Sequence, residues 1–545
     1  MKKISYFTGY IISAVLFSYL NSQQLTEREI HYRPGDWISY PVTRFVTSIA
    51  LGHRFAYFGT TGGIARYNFF SGRWEHPFTV SDGMEDDHVY IIEYDFRTSF
   101  LWCVTESGIS FLNPASMEWR NVLYRDIGIF SIPLIGIGKS FVWLKSGKRF
   151  YRSDPVSGIF IDATFQEARE DSVVWKSTSS QKPKDLLPLF SMERGYIFDP
   201  QGIIYDNHMR AFRVTSMQQD SFDNLWIGTW GIGCGVADIK SSFLRLLSYG
   251  PFSSHIDAMV WDDGRMWMGG ACSTDGQKGI TLWDPVRGDW KYFEAKFITE
   301  LRTDEVTSVA ADTEFVWFGT EGGLAIFKKS DETWRFFDLF DNLWSDRVTC
   351  LALGEEKLWI GTESGINVLS LIEGRIKRVR EDRLSHIRIF QIAVDGDDVW
   401  AGTEIGLFHY ISSRKEWEHL RGFDAAAARI FSALSIWEEE VWCGTDDGIQ
   451  VYYKSQNRWD GFPSSYFSNF SFVHSIVADS ENVWAGTDGG VWKYVKSEDR
   501  WRRFTVDDGL LDNRVNWILL DGDYIWFGTD RGLTRFYWNA PYRKD

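Results

Sequence analysis

The sequence predicts an all-β protein, a β-propeller of about twelve four-stranded blades, and three observations lead to this prediction. A unit of about 42 residues recurs along the chain, aromatic residues make up 17% of it, and 48 glycines punctuate it. A repeat of this length, with four short strands separated by glycine turns, is typical of a propeller blade. Helix-favouring runs are scarce, which agrees with an all-β chain.

The repeat is defined by one landmark aromatic residue in each unit. Its last intervals are 41 or 42 residues, whereas intervals of 53 and 30 residues flank Tyr196, so units three and four (about 125–215) are degenerate. We expect the landmark to pack between neighbouring blades. The twelve landmarks are Tyr57, Trp102, Trp143, Tyr196, Trp226, Trp267, Trp317, Trp359, Trp400, Trp442, Trp484 and Trp526.

Each unit reads as four strands. The first has an apolar-x-x-apolar-x-x-Asp pattern, as in Val515–Asp521, and the second carries Trp-x-Gly-Thr, as in Trp526–Thr529. The third opens with Gly-Leu or Gly-Ile, and the fourth carries Trp-x-x-Phe, as in Trp501–Phe504. Turns rich in Asp and Gly separate them, as expected for hairpins.

The two ends of the chain predict how the propeller closes. The last unit lacks a fourth strand, and an orphan Trp-x-x-aromatic segment, Asp36–Tyr40, precedes the first unit. An N-terminal strand that completes the last blade would remove two exposed edges at once. Because one such closure serves one ring, a single large ring is preferred, and two smaller rings remain the alternative.

The N-terminal segment predicts export. Lys2 and Lys3 precede an apolar stretch that gives way to polar residues at Asn21, so residues 1–22 resemble a signal peptide and 23–545 form the repeat array. No later apolar run has membrane length, so we expect a secreted or periplasmic protein without a membrane span after cleavage. The formal charge of −16 argues against a nucleic-acid partner.

The five cysteines indicate no metal site, because none has a suitable spacing. Cys103 and Cys443 follow strand tryptophans and read as core. Cys234 and Cys272 fall near equivalent turns of neighbouring units, where a disulfide is one option.

The unit resembles the two-component-regulator propeller repeat. The matching motifs are clearest at Trp484–Thr487, Gly490–Val491, Trp501–Thr505 and Asp508–Leu510. The resemblance implies a propeller like the periplasmic sensor regions of hybrid histidine kinases, often two seven-bladed rings that bind glycans. This sequence departs from that pattern, because it has twelve units rather than fourteen. It also reaches Asp545 without a kinase, so we do not expect direct signalling.

Seven units carry an acidic residue directly after the Thr of Trp-x-Gly-Thr, in the loop between the second and third strands. On equivalent blades these carboxylates would form an arc on one face that attracts cations, basic protein segments or Ca²⁺. The structural alternative is that Asp and Glu favour such tight turns. The residues are Glu106, Glu321, Glu363, Glu404, Asp446, Asp488 and Asp530.

Two tryptophans on the same predicted face are candidate ligand contacts. Trp230 replaces the acidic residue in its unit, and Trp344 stands in another loop. An exposed aromatic ring there could stack on a sugar or anchor a partner, and core packing is the alternative for each. The longest insertion on this face, Gly269–Gly279, is a candidate segment because long loops on regular scaffolds often carry function.

The sequence therefore favours a non-catalytic binding or scaffold protein that contacts a glycan or a protein through its loop face. The alternatives are a structural subunit of an extracellular self-assembly, and a propeller lyase or hydrolase. No metal-ligand pair, nucleophile elbow or phosphate loop is found, and no cofactor is expected. His88 and His474 fall beside innermost strands, where they could face the channel.

Overall fold

The computed structural model describes residues 32–177, 182–183, 186–192, 195–270, 278–422, 430–467 and 472–543. The predicted signal peptide, Cys272 and most of the Gly269–Gly279 insertion lie outside these residues. Within them the chain forms eleven sheets, nine of which have four strands. The β-propeller prediction is confirmed. The sheets are numbered as blades 1 to 11 in the order of their innermost strands.

Blades 1 to 4 form an N-terminal ring. Blade 1 contains β2 (Val46–Leu51), β3 (Phe55–Thr60), β4 (Gly63–Asn68) and β5 (Arg73–Phe78). Blade 2 contains β6 (Val89–Asp95), β7 (Phe100–Thr105), β8 (Gly108–Asn113) and β9 (Glu118–Leu123). Blade 3 contains β10 (Leu134–Ile137), β11 (Val142–Ser146), β12 (Arg149–Ser153), β13 (Phe160–Ala163) and β14 (Val174–Lys176). Blade 4 contains β15 (Ser191–Met192), β16 (Ile197–Asp199), β17 (Ile203–Tyr205), β18 (Ala211–Gln219), β19 (Asn224–Thr229), β20 (Cys234–Asp238) and β21 (Phe243–Leu247).

Blades 5 to 11 form a C-terminal ring of four-stranded sheets. Blades 5 to 7 contain β22 (Ala258–Asp262), β23 (Arg265–Gly269), β24 (Ile280–Asp284), β25 (Asp289–Phe293); β26 (Val306–Ala311), β27 (Phe315–Thr320), β28 (Gly323–Lys328), β29 (Thr333–Phe337); and β30 (Val348–Leu353), β31 (Lys357–Thr362), β32 (Gly365–Ser370), β33 (Arg375–Arg378). Blades 8 and 9 contain β34 (Ile389–Asp395), β35 (Asp398–Thr403), β36 (Gly406–Ile411), β37 (Glu416–Leu420); and β38 (Phe431–Trp437), β39 (Glu440–Thr445), β40 (Gly448–Tyr453), β41 (Arg458–Pro463). Blades 10 and 11 contain β42 (Val473–Ala478), β43 (Asn482–Thr487), β44 (Gly490–Val495), β45 (Arg500–Phe504); and β46 (Val515–Asp521), β47 (Tyr524–Thr529), β48 (Gly532–Tyr537) with β1 (Trp37–Pro41).

Among the described residues, helix is confined to short connections. The α-helix α1 spans Phe165–Glu170 and begins at Thr164, whose hydroxyl accepts the Glu167 amide in a capping box. The remaining helical turns are of the 3₁₀ type and cover Val80–Asp82, Tyr124–Ile127, Ala295–Phe297, Leu339–Asp341, Ser464–Tyr466 and Val506–Asp508.

The glycine of Trp-x-Gly-Thr allows neighbouring blades to approach each other. A Cβ at Gly486 would lie 2.8 Å from Val515 Cγ1, the first residue of the next innermost strand. The same relation joins Gly59 to Val89 of blade 2, where the distance would be 2.9 Å. Any larger residue would overlap the next blade, so the glycine is required for packing rather than for backbone freedom.

The same relation closes the C-terminal ring between blades 11 and 5. A Cβ at Gly528 of blade 11 would lie 2.9 Å from Ile256 Cγ2, just before β22. The Ile256 amide also donates a 3.0 Å hydrogen bond to the Thr529 carbonyl. Strand β1 pairs antiparallel with β48, from Trp37 opposite Phe536 to Pro41 opposite Gly532, and completes blade 11.

The N-terminal ring closes between blades 4 and 1. The Thr215 hydroxyl of β18 donates a 2.6 Å hydrogen bond to the Val46 carbonyl of β2. The equivalent bond between blades 1 and 2 runs from Thr47 to Val89, also at 2.6 Å. A Cβ at Gly228 would overlap the Val46 side chain, as the glycine motif of the other blades requires.

The preference for a single large ring was therefore wrong, and the chain forms two rings. A ring does not need an exchanged terminal strand in order to close. Here β1 serves the C-terminal ring, and the N-terminal ring is closed by packing and hydrogen bonds between complete sheets.

The predicted number of units also needs correction, because twelve landmarks correspond to eleven sheets among the described residues. Tyr196 precedes the β16–β17 hairpin, which pairs with the first residues of β18 and so joins the sheet of blade 4. The degenerate unit around Tyr196 is thus an extension of the Trp226 blade.

The other eleven landmark residues are buried, as predicted for core packing. In several blades the indole also explains the Asp that ends the first-strand pattern. Trp526 Nε1 donates a 3.0 Å hydrogen bond to Asp521, and Trp267 Nε1 donates one of 3.1 Å to Asp262. The paired positions satisfy a buried donor in these two blades.

Strand β1 belongs to the C-terminal ring and also contacts the N-terminal ring. The Ser39 hydroxyl lies 2.9 Å from the Thr534 hydroxyl within blade 11 and 2.6 Å from the Ser81 hydroxyl, which follows blade 1. One apolar cluster continues across this junction and includes Phe58 and Trp226 of the N-terminal ring with Met259 and Trp526 of the C-terminal ring. The rings are therefore packed against each other rather than linked by a free segment.

Within the described residues, no helix has the length and apolarity that a bilayer crossing requires. The described cysteines are buried free thiols, namely Cys103, Cys234, Cys350 and Cys443.

Candidate functional site

The turn between the second and third strands of a blade is built by the Thr of Trp-x-Gly-Thr. Its hydroxyl donates a hydrogen bond to the carbonyl three residues ahead, as from Thr60 to Gly63 at 2.9 Å. It also accepts an amide inside the turn, as from Gly62 at 3.0 Å. The residue after Thr lies on this turn, which is why the seven predicted carboxylates fall at equivalent places on the blades.

Six of the seven carboxylates lie on the C-terminal ring, and basic side chains link several of them. Arg347 lies 2.7 Å from Glu321 and 2.9 Å from Glu363, which belong to successive blades. Arg514 lies 3.6 Å from Asp488 and 3.7 Å from Asp530, again on successive blades. Two arginines therefore lie between neighbouring members of the predicted arc.

The two other members of the arc contact the main chain. A Glu404 carboxylate oxygen accepts the Arg388 amide at 3.2 Å, and an Asp446 oxygen accepts the Ile430 amide at the same distance. Among the described residues, no group of three or more acidic, His or Cys side chains is arranged to hold a metal ion. The local-turn interpretation accounts for these contacts without a bound cation.

Histidines join the arc where the C-terminal ring closes. His255 lies 3.0 Å from Asp257 and 3.2 Å from Asp530, on opposite sides of the imidazole. Burial lowers the pKa of His255, but its hydrogen bond to Asp257 and the charges of both aspartates outweigh burial and raise the pKa overall. His474, which the sequence placed beside the channel, lies 2.8 Å from Asp488.

Trp344 does not join Trp230, because it lies on the C-terminal ring. Its indole is half-buried, its amide donates to the Asn367 side chain at 3.0 Å, and the Arg378 guanidinium lies 4.7 Å from the ring centroid. Gly365 lies against the same ring. These contacts agree with a packing role.

Trp230 stands on a turn that is one residue longer than the regular Thr-x-x-Gly turns. The Thr229 hydroxyl donates a 2.6 Å hydrogen bond to the carbonyl of Gly233, four residues ahead instead of three. The extra residue is accommodated by Gly231, whose φ of 115° suits glycine. As a result Trp230 projects from the face and keeps 47% of its surface exposed.

Blade 1 holds this turn in place. Trp230 forms an isolated antiparallel bridge with Phe45, and the two rings meet edge to face at 5.2 Å. The main-chain carbonyl of the buried Arg44 accepts hydrogen bonds from the Gly231 and Gly233 amides, each at 3.0 Å. The Arg44 guanidinium donates to the carbonyls of Gly231 and Phe252. Trp230 is therefore fixed on a rigid support although it is exposed.

A cavity of about 800 Å³ opens beside Trp230 at the centre of the N-terminal ring. All four blades contribute to its wall, and its volume lies in the range of small-molecule sites. None of the described lining residues is Asp or Glu, although the chain has 74 of them. The lining residues are Val46, Thr47, His88, Tyr90, Ile91, Ile132, Pro133, Leu134, Lys182, Ala211, Arg213, Thr215 and Trp230.

The wall opposite Trp230 carries an aromatic pair from blade 2. His88 stacks on Tyr90 with ring centroids 4.4 Å apart, and His88 Nδ1 lies 3.5 Å from the Glu106 carboxylate. Burial, then the negative charges of Glu106 and Asp86, raise the pKa of Tyr90. The phenol is therefore a neutral group at physiological pH that can donate a hydrogen bond.

Further along the innermost strands, a buried ion pair ties three blades together. Lys176 of blade 3 donates a 2.6 Å hydrogen bond to the Ile49 carbonyl of blade 1 and lies 2.9 Å from Glu93 of blade 2. This pair stabilises the ring around the cavity.

The described thiols are poor candidates for nucleophiles. Burial raises the pKa of Cys350 to about 12 and that of the other three further still. Reactive cysteines need the opposite shift.

Sequence reasoning identified Trp230, Glu106 and His88 but missed Arg213, Lys182 and the cavity itself. The available signal was the Thr229–Gly233 turn, whose extra residue distinguishes it from every regular Thr-x-x-Gly turn.

Comparison with known proteins agrees with the repeat. The family model described as the two component regulator propeller matches residues 213–231, a segment that includes both Arg213 and Trp230. Residues 213–231 thus match the two-component-regulator propeller repeat, and the predicted resemblance is confirmed for this segment. A search of curated proteins finds no match.

Several solved structures align with this chain. PorZ, described as an essential bacterial surface component of the type-IX secretion system of Porphyromonas gingivalis, aligns with a TM-score of 0.59 at 14% identity, over 92% of this chain and 87% of PorZ. The extracellular domain of BT4673 from B. thetaiotaomicron, described as a one component system, gives a TM-score of 0.47 at 16% identity, over 92% of this chain and 71% of that chain. The extracellular domain of BT3049 from the same organism gives 0.44 at 16% identity, over 90% and 68%. The likeness to PorZ shows a shared fold.

Proposed function

We propose that this chain is an extracytoplasmic, non-catalytic binding protein that takes its ligand in the cavity of the N-terminal ring. The observation that carries the proposal is Trp230, which is half exposed, held on a lengthened turn and placed at the edge of a cavity of about 800 Å³. Aromatic rings that are exposed but rigid are favoured at binding sites, because little side-chain entropy is lost on contact.

The comparisons support the extracytoplasmic part of the proposal. PorZ is described as a surface component, and the two B. thetaiotaomicron chains are described as extracellular domains. The predicted signal peptide at residues 1–22 would direct such export.

A glycan is the ligand class that the proposal favours. The cavity combines aromatic surface with a few polar side chains, as expected where a sugar ring stacks and its hydroxyls form hydrogen bonds. A protein partner that inserts a side chain into the same cavity is the alternative.

A binding screen tests the proposal. Wild-type protein, Trp230→Ala and Trp437→Ala would be applied to a glycan array and to cell-surface extracts separated by mass spectrometry. Trp437 is a matched control because it is 36% exposed and ends β38 of the C-terminal ring. We expect ligands that Trp230→Ala loses and Trp437→Ala keeps, and ligands that all three proteins retain equally would contradict the proposed site.

Self-assembly and catalysis are separable by further measurements on the same protein. Light scattering should give a monomer at micromolar concentration if the chain acts as a binding module. Recovery of bound glycans in unaltered form would agree with a non-catalytic role, whereas cleaved products would support the lyase or hydrolase alternative.

A further inference from the structure

The described residues that line the cavity of the N-terminal ring include two cations and no carboxylate, in a chain whose formal charge is −16. Arg213 and Lys182 line the cavity and are exposed, and neither forms an ion pair with any residue of the part of the chain that the structure describes. By contrast, Arg347 of the C-terminal ring forms an ion pair with Glu321. Glu106 reaches the opposite wall through His88. Among the described residues that line the cavity itself, Arg213 and Lys182 are cationic and none is Asp or Glu, which favours an anionic ligand.

Strand alternation fixes the position of Arg213. Phe212 and Val214 are buried in the apolar cluster of blade 4, so Arg213 and Thr215 point to the opposite side of β18, into the cavity. Strand β17 pairs with β18 at Arg213 itself, where Ile203 lies opposite, and the Arg213 carbonyl accepts the Trp230 amide at 3.0 Å. The guanidinium therefore extends from a backbone that is held on both sides.

Arg213 and Trp230 act on the same ligand volume because that hydrogen bond brings their backbones together. A guanidinium offers two parallel donors to a carboxylate or sulfate, and an indole offers a flat apolar face to a sugar ring. Tyr90 adds a neutral hydroxyl from the opposite wall, suited to sugar hydroxyl groups.

We infer that the cavity binds a short anionic saccharide, with Arg213 contacting its carboxylate or sulfate group and Trp230 stacking on a sugar ring. This inference rests on the proposed function and adds the charge class of the ligand. An acidic peptide could pair with Arg213 and Lys182, but it would not require the exposed Trp230 indole or the neutral Tyr90 hydroxyl. A saccharide uses all of these groups and is therefore favoured.

The inference is tested by titrating residues 23–545 with matched pairs of saccharides in a calorimeter. Each pair contains an anionic sugar and its neutral form: trigalacturonate and its methyl ester, and a sulfated and an unsulfated galactan tetrasaccharide. We expect at least one anionic member to bind ten-fold or more tightly than its neutral partner, with an affinity that falls as salt rises.

Arg213→Gln keeps most of the side-chain length and removes the charge. It should abolish the preference for the anionic member and leave binding of the neutral member within about two-fold. Arg245→Gln is the matched control, because Arg245 is exposed on β21 of the same blade and does not line the cavity. Thermal unfolding of both variants checks that they fold.

The outcomes separate this inference from the proposed function. Equal affinity for both members of every pair, lost in Trp230→Ala, would overturn the anionic preference and keep the cavity as a glycan site. Binding of tetraglutamate in place of any saccharide, abolished by Arg213→Gln, would replace the saccharide by an acidic peptide. Absence of binding to all these probes would overturn the inference. A ligand from the screen that binds Trp230→Ala as tightly as wild type would overturn the proposed function as well.

Discussion

Thr215 of β18 donates a 2.6 Å hydrogen bond to the main-chain carbonyl of Val46, 169 residues earlier in the chain. This bond joins the last blade of the N-terminal ring to the first. It repeats the bond from Thr47 to Val89 between two blades that follow each other in sequence. Blade 4 is therefore a neighbour of blade 1, and the cavity that blades 1 to 4 line is a separate site from the mouth of the C-terminal ring.

The first prediction concerns the glycine beside this closure. Gly228→Ala should lower the free energy of unfolding by about 1–3 kcal/mol, because a Cβ there overlaps both Val46 and Ser216. Gly354→Ala is the control, since the nearest atoms to its Cβ would be 3.4 Å and 3.7 Å away. Urea denaturation measures both. Equal stability of the two variants would mean that blades 4 and 1 are not packed as described.

The second prediction concerns Asp82, which lies buried at the junction of the two rings. Burial raises the pKa of Asp82 to about 7, well above its ordinary value of 3.8. The folded state therefore binds a proton that the unfolded state releases between about pH 4 and 7, so this group makes the folded state less stable as pH rises through that window.

Asp82→Asn removes that titration. The difference in unfolding free energy between wild type and Asp82→Asn should shift in favour of the variant by on the order of 2 kcal/mol from pH 4.5 to pH 8. The amide oxygen can still accept the Thr79 amide, which lies 2.9 Å from the Asp82 carboxylate. A difference that stays constant with pH, measured by urea denaturation, would refute the shift.

The third prediction concerns an ion pair that crosses from one ring to the other. Arg531 of the C-terminal ring lies 3.4 Å from Asp87 of the N-terminal ring, whose side chain is fully buried. Burial raises the pKa of Asp87 to about 6, although the charge of Arg531 and the hydrogen bond from the Val80 amide oppose the shift.

Arg531→Gln should therefore destabilise the protein by roughly 1–2 kcal/mol at pH 8, where Asp87 is ionised, and by much less at pH 5, where it is protonated. Arg287→Gln, at a side chain that is 79% exposed, should have no such pH dependence. The same loss at both pH values would show that Arg531 does not act through the Asp87 charge.

The fourth prediction concerns the carboxylate arc of the C-terminal ring. Arg347 and Arg514 already lie between its members, so Ca²⁺ should find little uncompensated charge there. Calcium chloride at millimolar concentration should change Tm by less than about 1 °C relative to an equal concentration of magnesium chloride. A rise that is specific for calcium and reversed by chelation would restore the arc as a cation site.

Much of the fold could be read from the sequence because one physical constraint repeats. Most blades have a buried aromatic landmark, a Gly where the next blade approaches, and a Thr that closes a turn, as at Trp526, Gly528 and Thr529. Those constraints act within a blade or between immediate neighbours, so most units display them, and blade 2 departs from the pattern with Val104 at the Gly position.

The ring count could not be read in the same way. The sequence pattern around β18 indicates that Thr215 contacts a neighbouring blade, but it does not identify that blade. That partner is Val46, 169 residues away, and its selection depends on the wedge angle summed over several blades. The hairpin after Tyr196 carries a landmark without the other three motifs, so the period alone counted it as a blade.

The residues of the candidate site also differ in how far the sequence could predict them. Trp230 was recognisable because it departs from a repeated turn. Arg213 obeys the ordinary alternation of its strand, and in a blade of a larger ring the same position would face bulk solvent. Its role became visible only with the small ring that surrounds it.

The most direct test of the account is a crystal structure or density map of the protein with a glycan taken from the binding screen. The account predicts ligand density in the cavity of the N-terminal ring, with a sugar ring against Trp230 and an anionic group at Arg213. Density at the mouth of the C-terminal ring, with an empty cavity beside Trp230, would contradict it.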